Sequence, residues 1–217
     1  MQELNLVQQL AVWALPVIFA ITVHEVAHGW VARRFGDPTA EMLGRLTLNP
    51  LKHIDPIGTI LVPAILLWAG GILFGWARPV PVNPENLRNP RRDMALVALA
   101  GPAANLVMAL IWAVLLKISL MLSGTLGMVA LPLAYMAQAG ITINVLLMVL
   151  NLVPLPPLDG SRVAAGFLPP RWGDTLLRAE PYGLLVLLLL LVTGVLGHIV
   201  LPPVYAVEGV LYRVFGL

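Results

Sequence analysis

Apolar residues run along this chain in long stretches, without the period of two or 3.6 that marks an element buried on one face. Five stretches reach the roughly 20 residues that a helix needs to cross a hydrocarbon core. Residues 6–32 are apolar apart from His24, Glu25 and His28, and residues 57–77 carry no charge. Residues 94–116 are uncharged and end at Lys117. The uncharged run 118–158 has room for a connection and a helix at about 128–151. Residues 181–207 are uncharged too, and Pro202-Pro203 is expected to break that tail. The pattern predicts an all-α polytopic membrane protein with about five transmembrane helices. The polar segments 33–56, 78–93 and 159–180 are short and rich in Pro and Gly, so residues 1–217 read as one membrane-embedded domain with C-terminal helices over 181–217. Two segments look extended. Arg45-Leu46-Thr47-Leu48 alternates polar and apolar, and RPVPVNP at 78–84 carries prolines that forbid helix. Each is expected to be a short β or polyproline piece near the functional site.

Composition narrows the class. Of 217 residues, 59% are hydrophobic and 11% charged, with mean hydropathy +0.88; an average soluble domain is about 25% charged. An ordinary soluble globule and a disordered chain are excluded. A formal charge of +2 supplies too few cations for a phosphate-neutralising surface, so no nucleic-acid partner is expected. The chain has no cysteine, which excludes disulfides, a thiolate nucleophile and Cys-ligated metal. The N-terminus has no basic n-region, so the first apolar run reads as a retained helix, not a cleaved signal.

The chemistry sits in that first run. Residues 24–28 read HEVAH. Residues four apart share a helix face, so His24 and His28 can hold one metal ion. Glu25 lies one position round, within reach of a metal-bound water as general base. Three ionisable groups in five residues of an apolar run are expensive and usually functional. A hydrolytic zinc site wants a third protein ligand and one open position. Position 31 is Val and position 34 is Arg, so a downstream helix His does not supply it. Glu41, His53, Asp55 and Asp159 are the candidates. Asp159 closes NLVPLPPLDG, residues 151–160, where Pro154, Pro156 and Pro157 stop the preceding helix. Irregular backbone at membrane depth must be buried or line a cavity, which aims Asp159 into one, with Gly160 permitting a sharp turn.

HEVAH (24–28), GPAAN (101–105) and NLVPLPPLDG (151–160), in this order and each on an apolar helix, resemble the site-2 protease family of intramembrane zinc metalloproteases. The resemblance covers roughly residues 10–165. It implies one zinc ion held by His24, His28 and Asp159, with Glu25 as catalytic base. It implies that Asn151 and the Pro-rich segment after it, Pro157 included, contact the substrate backbone. The chain resembles the compact branch, with no room for a PDZ domain before residue 151 or a CBS domain after it.

A shared ion constrains topology. His28 and Asp159 must lie on one membrane side, so an odd number of crossings separates the first helix from that at 128–151. Of the two intervening stretches, 57–77 holds Gly58, Pro63, Gly70, Gly71 and Gly75 and is expected to be re-entrant. The polar loops then share one side. They hold Arg33, Arg34, Arg45, Lys52, Arg78, Arg88, Arg91, Arg92, Arg162, Arg171 and Arg178, that is, 11 of the 13 cations. The positive-inside rule places these loops and the zinc toward the cytoplasm, in a cell membrane, with the N-terminus outside.

Asn105 lies one helical turn after Gly101 among Ala100, Ala103 and Ala104. It serves either helix packing or direct contact with substrate or site. Asn151 is either a helix C-cap or a donor to the scissile peptide. His53 and Asp55 read as interfacial loop residues, and His198 as a packing or interface residue. The expected function is hydrolysis of a peptide bond in or near the transmembrane helix of a membrane-protein substrate. Partners are such substrates and the lipid bilayer. Alternatives are a divalent-metal transporter, which needs polar ligands on several spans, and a proteolytically inactive scaffold, which is expected to lack Glu25 or a ligand.

Overall fold

The computed structural model describes residues 5–70 and 75–217. Its helices are, in order, α1 (Leu6–Arg34), α2 (Thr39–Met42), α3 (Val62–Gly70), α4 (Pro90–Met121), α5 (Ser123–Leu126), α6 (Ala130–Leu152), α7 (Asp159–Phe167), α8 (Pro170–Arg178), α9 (Glu180–Val192) and α10 (Val195–Phe215). Helices α1, α4, α6 and α10 are each long and apolar enough to cross a bilayer, and α8 with α9 forms a pair bent by 68° that supplies a further apolar segment. The protein is an all-α, multi-pass membrane protein.

Local chemistry sets several boundaries. Asn5 and Gln8 form a capping box at the start of α1, each side chain accepting the other's backbone N–H at 2.9 Å. After Phe35 the chain leaves the helix through Gly36 at φ 110°. α4 continues past Lys117 to Met121, because the lysine reaches along the bundle and donates to the Gly216 carbonyl at 2.8 Å. The expected break at Pro202-Pro203 does not occur. α10 runs through both prolines, and the interruption falls at Gly194, whose φ is 77°. Spanning helices tolerate proline where neighbouring helices hold the backbone, and Val200 and Val204 are buried in the core beside it. Glycine takes the left-handed turn at a helix end without a Cβ clash.

No β-strand occurs among the described residues. Residues 75–83 run without helix or ladder, and 46–48 form a bend. Pro79, Pro81 and Pro84 have no N–H to give a ladder, and the N–H of Val80 between them goes to a side chain, Glu25. These residues form an irregular strap, whose Arg78 N–H donates to His53 O at 2.9 Å. In the stretch 57–77, residues 71–74 lie outside the described residues. A π-helical turn, Pro56–Leu61, enters α3, and the returning chain meets its own start. Trp76 N–H donates to Gly58 O at 3.0 Å, and the Thr59 hydroxyl donates to Trp76 O at 2.9 Å.

α4 is the central helix, packed on α1 and α6, with α10 against α6. It runs antiparallel to α6: Asn105 bonds Asn144 near the middle, and Ser119 bonds the Ala130 carbonyl at the end. Small residues bring these backbones close. Ala109, Ala113, Ala137 and Ile141 are fully or almost fully buried, and Gly140 lies flat against the Trp112 ring. Thr142 donates to Glu208 at 2.7 Å, and Lys117 meets Gly216 beyond the end of α10 beside the start of α6, so α10 runs antiparallel to α6. Lys117 and Arg213, the two cations outside the polar loops, consequently share the end of the bundle opposite HEVAH.

Candidate active site

One turn of α1 brings His24 and His28 to the same buried face, with their Nε2 atoms 3.1 Å apart. Both rings are oriented through Nδ1. That of His28 lies 2.7 Å from the Val97 carbonyl oxygen, and that of His24 lies 2.6 Å from Asn105 Oδ1, both on α4. Each partner is an oxygen that accepts, so each Nδ1 carries a proton, and in the neutral imidazole each Nε2 then turns a lone pair inward.

Asp159 arrives from the opposite direction. The prolines end α6 at Leu152, and the chain doubles back so tightly that a Cβ on Gly160 would stand 2.4 Å from the carbonyl oxygens of Leu152 and Val153. Only glycine fits this turn. α7 therefore starts beside the end of α6, and its first residue, Asp159, places Oδ2 3.2 Å from His24 Nε2 and 3.3 Å from His28 Nε2. Gly101 of α4 lies against both imidazoles. A Cβ there would meet His24 Cε1 and His28 Nε2 at 2.5 Å.

The arrangement fits a metal ion. His24, His28 and Asp159 form the one such cluster among the described residues. Ligand atoms about 2.0–2.2 Å from a tetrahedral ion stand roughly 3.3–3.6 Å apart, and these three stand 3.1–3.3 Å apart. Asp159 Oδ2 is buried without a hydrogen-bond donor. Three converging lone pairs repel one another unless a cation sits among them. Two imidazoles and one carboxylate are a donor set that suits zinc.

The other third-ligand candidates lie elsewhere. Glu41 pairs with Arg33 at 2.9 Å on the surface. His53 is buried with Nε2 bonded to Thr47 O at 2.8 Å, and Asp55 caps the π-helical turn. Asn105 lies against the site through His24. Asn151, in the last turn of α6, donates to its own helix at Leu147 O, and Pro157 is exposed. His198 bonds Gly194 O within α10.

Glu25 is half-buried, and its Oε2 accepts the Val80 N–H at 2.8 Å. The strap carrying Val80 passes so close to α1 that a Cβ on Gly29 would lie 2.9 Å from Val80 Cγ1. Both ends of the strap are tied. Arg45 donates to Arg78 O at 2.9 Å. Asp37, fully buried, accepts Asn83 N–H at 2.7 Å and Asn86 Nδ2 at 2.9 Å, besides the backbone N–H and hydroxyl of Thr39. Burial alone would raise the Asp37 pKa, but the hydrogen bonds from Asn86, Thr39 and Asn83 outweigh it and hold the carboxyl below its ordinary range.

Sequence reasoning did not assign Gly29, Asp37, Val80 or Asn144 to the site, and Gly101 entered it only within the GPAAN motif and as a neighbour of Asn105. Asp37-Pro38-Thr39 carries an ordinary turn signal, and Asn144 stands alone in an uncharged helix. Nothing local marks either one.

Comparison with known proteins follows the same lines. The family described as Peptidase family M50 matches residues 12–130. YwhC of Bacillus subtilis, a candidate zinc metalloprotease by its name, is 41% identical over 206 residues, covering 93% of this chain and 89% of YwhC. Rip2 of Mycolicibacterium smegmatis, named in the same way, is 33% identical over 87% of this chain and 69% of its own length. A shorter match joins 49% of the chain to 25% of the regulator of sigma-E protease RseP of Salmonella typhimurium, at 30% identity. No solved structure matches.

Proposed function

We propose, on the premise that this chain belongs to peptidase family M50 and is a zinc metallopeptidase, that it cleaves a peptide bond in or near the transmembrane helix of membrane-protein substrates. The observation that carries the reading is the placement of the His24–His28 pair and Glu25 inside a helix long and apolar enough to span the bilayer. His24, His28 and Asp159 hold the zinc. Bound there, the ion supplies Lewis-acid polarisation of a peptide carbonyl and lowers the pKa of its water to about 7.

The chain's own residues do the rest. Asn105 and Val97 fix the imidazole orientations. Glu25 takes a proton from the attacking water on its carboxylate and passes it to the leaving amine. Asn151 and Pro157, at the end of α6 and just beyond it, are proposed to contact the substrate backbone. A substrate helix hides its amides in its own hydrogen bonds and must unwind to react. The strap over 78–84 offers the unwound segment an extended neighbour. The re-entrant reading of 57–77 is supported by the meeting of Trp76 with Gly58. The site is proposed to face the cytoplasm, with the N-terminus outside, because 11 of 13 cations fall in the polar segments 33–56, 78–93 and 159–180. The name regulator of sigma-E protease, carried by RseP, motivates placing this chain in regulated intramembrane proteolysis.

The test is cleavage of a single-span substrate by purified protein in liposomes. Glu25→Gln should keep its zinc and lose about 10²–10⁴-fold in rate. Near wild-type turnover in that variant would remove Glu25 as the base.

A further inference from the structure

His24 and His28 are oriented by different means. His28 rests on a backbone carbonyl, which no substitution at Val97 alters. His24 rests on a side-chain amide, and an amide can be turned either way round. We infer that Asn144, through Asn105, is a positioning residue that fixes which nitrogen of His24 bears the proton. The inference rests on the metal site proposed above.

The direction follows link by link. Asn144 is fully buried, and its Nδ2 lies 2.8 Å from Gly140 O on the preceding turn of α6. A backbone carbonyl only accepts, so the Asn144 amide must present its NH2 group there and its oxygen on the other side. That oxygen lies 2.9 Å from Asn105 Nδ2. Asn105, also fully buried, must then give its own NH2 to Asn144, and the same NH2 reaches Ala20 O on α1 at 3.2 Å. The Asn105 oxygen is left facing His24 Nδ1 at 2.6 Å. It accepts from Nδ1–H and leaves Nε2 bare toward His28 and Asp159. Two carbonyls, one on α6 and one on α1, orient both amides and so select the imidazole tautomer that a metal needs.

Three helices contribute. α1 supplies His24 and Ala20, α4 supplies Asn105, and α6 supplies Asn144 and Gly140. Gly140 is itself seated by the Trp112 ring, which would clash with any Cβ at that position. Asn144 hydrogen-bonds Asn105 and Gly140 and not His24, His28, Asp159 or Glu25, so its polar link to the cluster passes through Asn105. Both amides lie where water cannot substitute for a lost partner, which makes an unpaired group expensive.

The experiment compares wild type, Asn105→Leu, Asn144→Leu and the packing control Val145→Ala, each full-length in detergent. Zinc affinity is measured by chelator competition. Solvent exchange of the imidazole Nδ1–H protons of the zinc-loaded protein is followed by 15N-edited NMR. Asn105→Leu should weaken zinc roughly ten- to a hundredfold. Asn144→Leu should fall at the lower end of that range and speed His24 Nδ1–H exchange about tenfold, leaving His28 unchanged. Val145→Ala, one position along the same helix in the core cluster, should change neither zinc affinity nor exchange. Asn144→Ala replaces the Leu variant if that does not accumulate.

Unchanged zinc affinity and unchanged His24 exchange in the Asn144 variants overturn the inference. Weaker zinc with unchanged His24 exchange, or a Val145→Ala effect equal to that of Asn144→Leu, assigns Asn144 to packing and overturns it as well. A wild-type protein that binds zinc no better than His24→Ala instead refutes the metal site itself, an outcome read separately from the Asn144 series.

Discussion

The two sides of the site are built from different material. On the metal side every anchor is helical: His24 and His28 on α1, Val97 and Asn105 on α4, Asn144 on α6, Asp159 at the head of α7. His24, His28 and Asp159 are each less than 10% exposed. On the base side Glu25 meets an irregular strap, held at one end by Arg45 and at the other by Asp37. Ligand geometry must hold to a few tenths of an ångström, and packed helices supply that. Under the proposed mechanism Glu25 must meet a water and a substrate, and its neighbour Val80 sits on irregular backbone held by a few polar ties. The contrast sets helical packing around the proposed ligands against irregular backbone and polar ties around the proposed base.

The largest effect should come from spoiling the metal side without touching a ligand. Gly101→Ala drives a methyl to 2.5 Å from atoms of both imidazoles. Zinc should bind roughly a hundredfold or more weakly and cleavage should fall with occupancy, while the strap stays in place. Metal analysis and chelator competition on the purified variant check this. Stoichiometric, tight zinc in Gly101→Ala would mean that α1 and α4 can separate, and that the metal side is not the rigid half.

Asp37→Ala should do the converse. It removes the acceptor that gathers Asn83 and Asn86. A hydrogen bond to a charged group contributes about 1.5–3 kcal/mol, so amide exchange at Asn83 should speed by roughly ten- to a hundredfold, with zinc affinity unchanged. The same tie has a pH dependence whose sign is fixed. The Asp37 pKa is lower folded than unfolded. Its contribution is therefore complete above the ordinary carboxylate value of about 3.9 and is lost as pH falls through the folded value. Exchange at Asn83, corrected for its intrinsic rate, should stay flat from neutral pH down to about 4 and rise only below that. A rise near neutral pH would assign the strap's anchoring to another group.

The smallest perturbation tests orientation. With no native cysteine, single cysteines at Phe35, Glu85 and Ala165 should resist a membrane-impermeant thiol reagent in intact cells and react after permeabilisation. Labelling of position 85 from outside would mean that 57–77 crosses, and the strap would not share a membrane side with HEVAH.

Much of this protein is determined by local sequence. The HEVAH spacing places two imidazoles on one helix face, and uncharged runs of about 20 residues identify the bundle helices at 6–32, 94–116 and about 128–151. The prolines of NLVPLPPLDG end α6 where the sequence puts them. Each of these follows from relations within a few turns of one chain segment. The break at Gly194 and the passage of α10 through Pro202-Pro203 do not, because the cost of a proline in a helix depends on what packs around it. The same holds for Gly101, Asn144, Asp37 and Val80. Hydropathy identifies α4 and α6 as spans but does not state their register, and register is what sets Asn144 against Asn105 and Gly101 against two histidines. A shift of one residue along α4 would rotate it by about 100° and remove both contacts. The sequence by itself determined which residues could carry the chemistry; the packing of three helices decided which atoms face the ion and which residues hold them there.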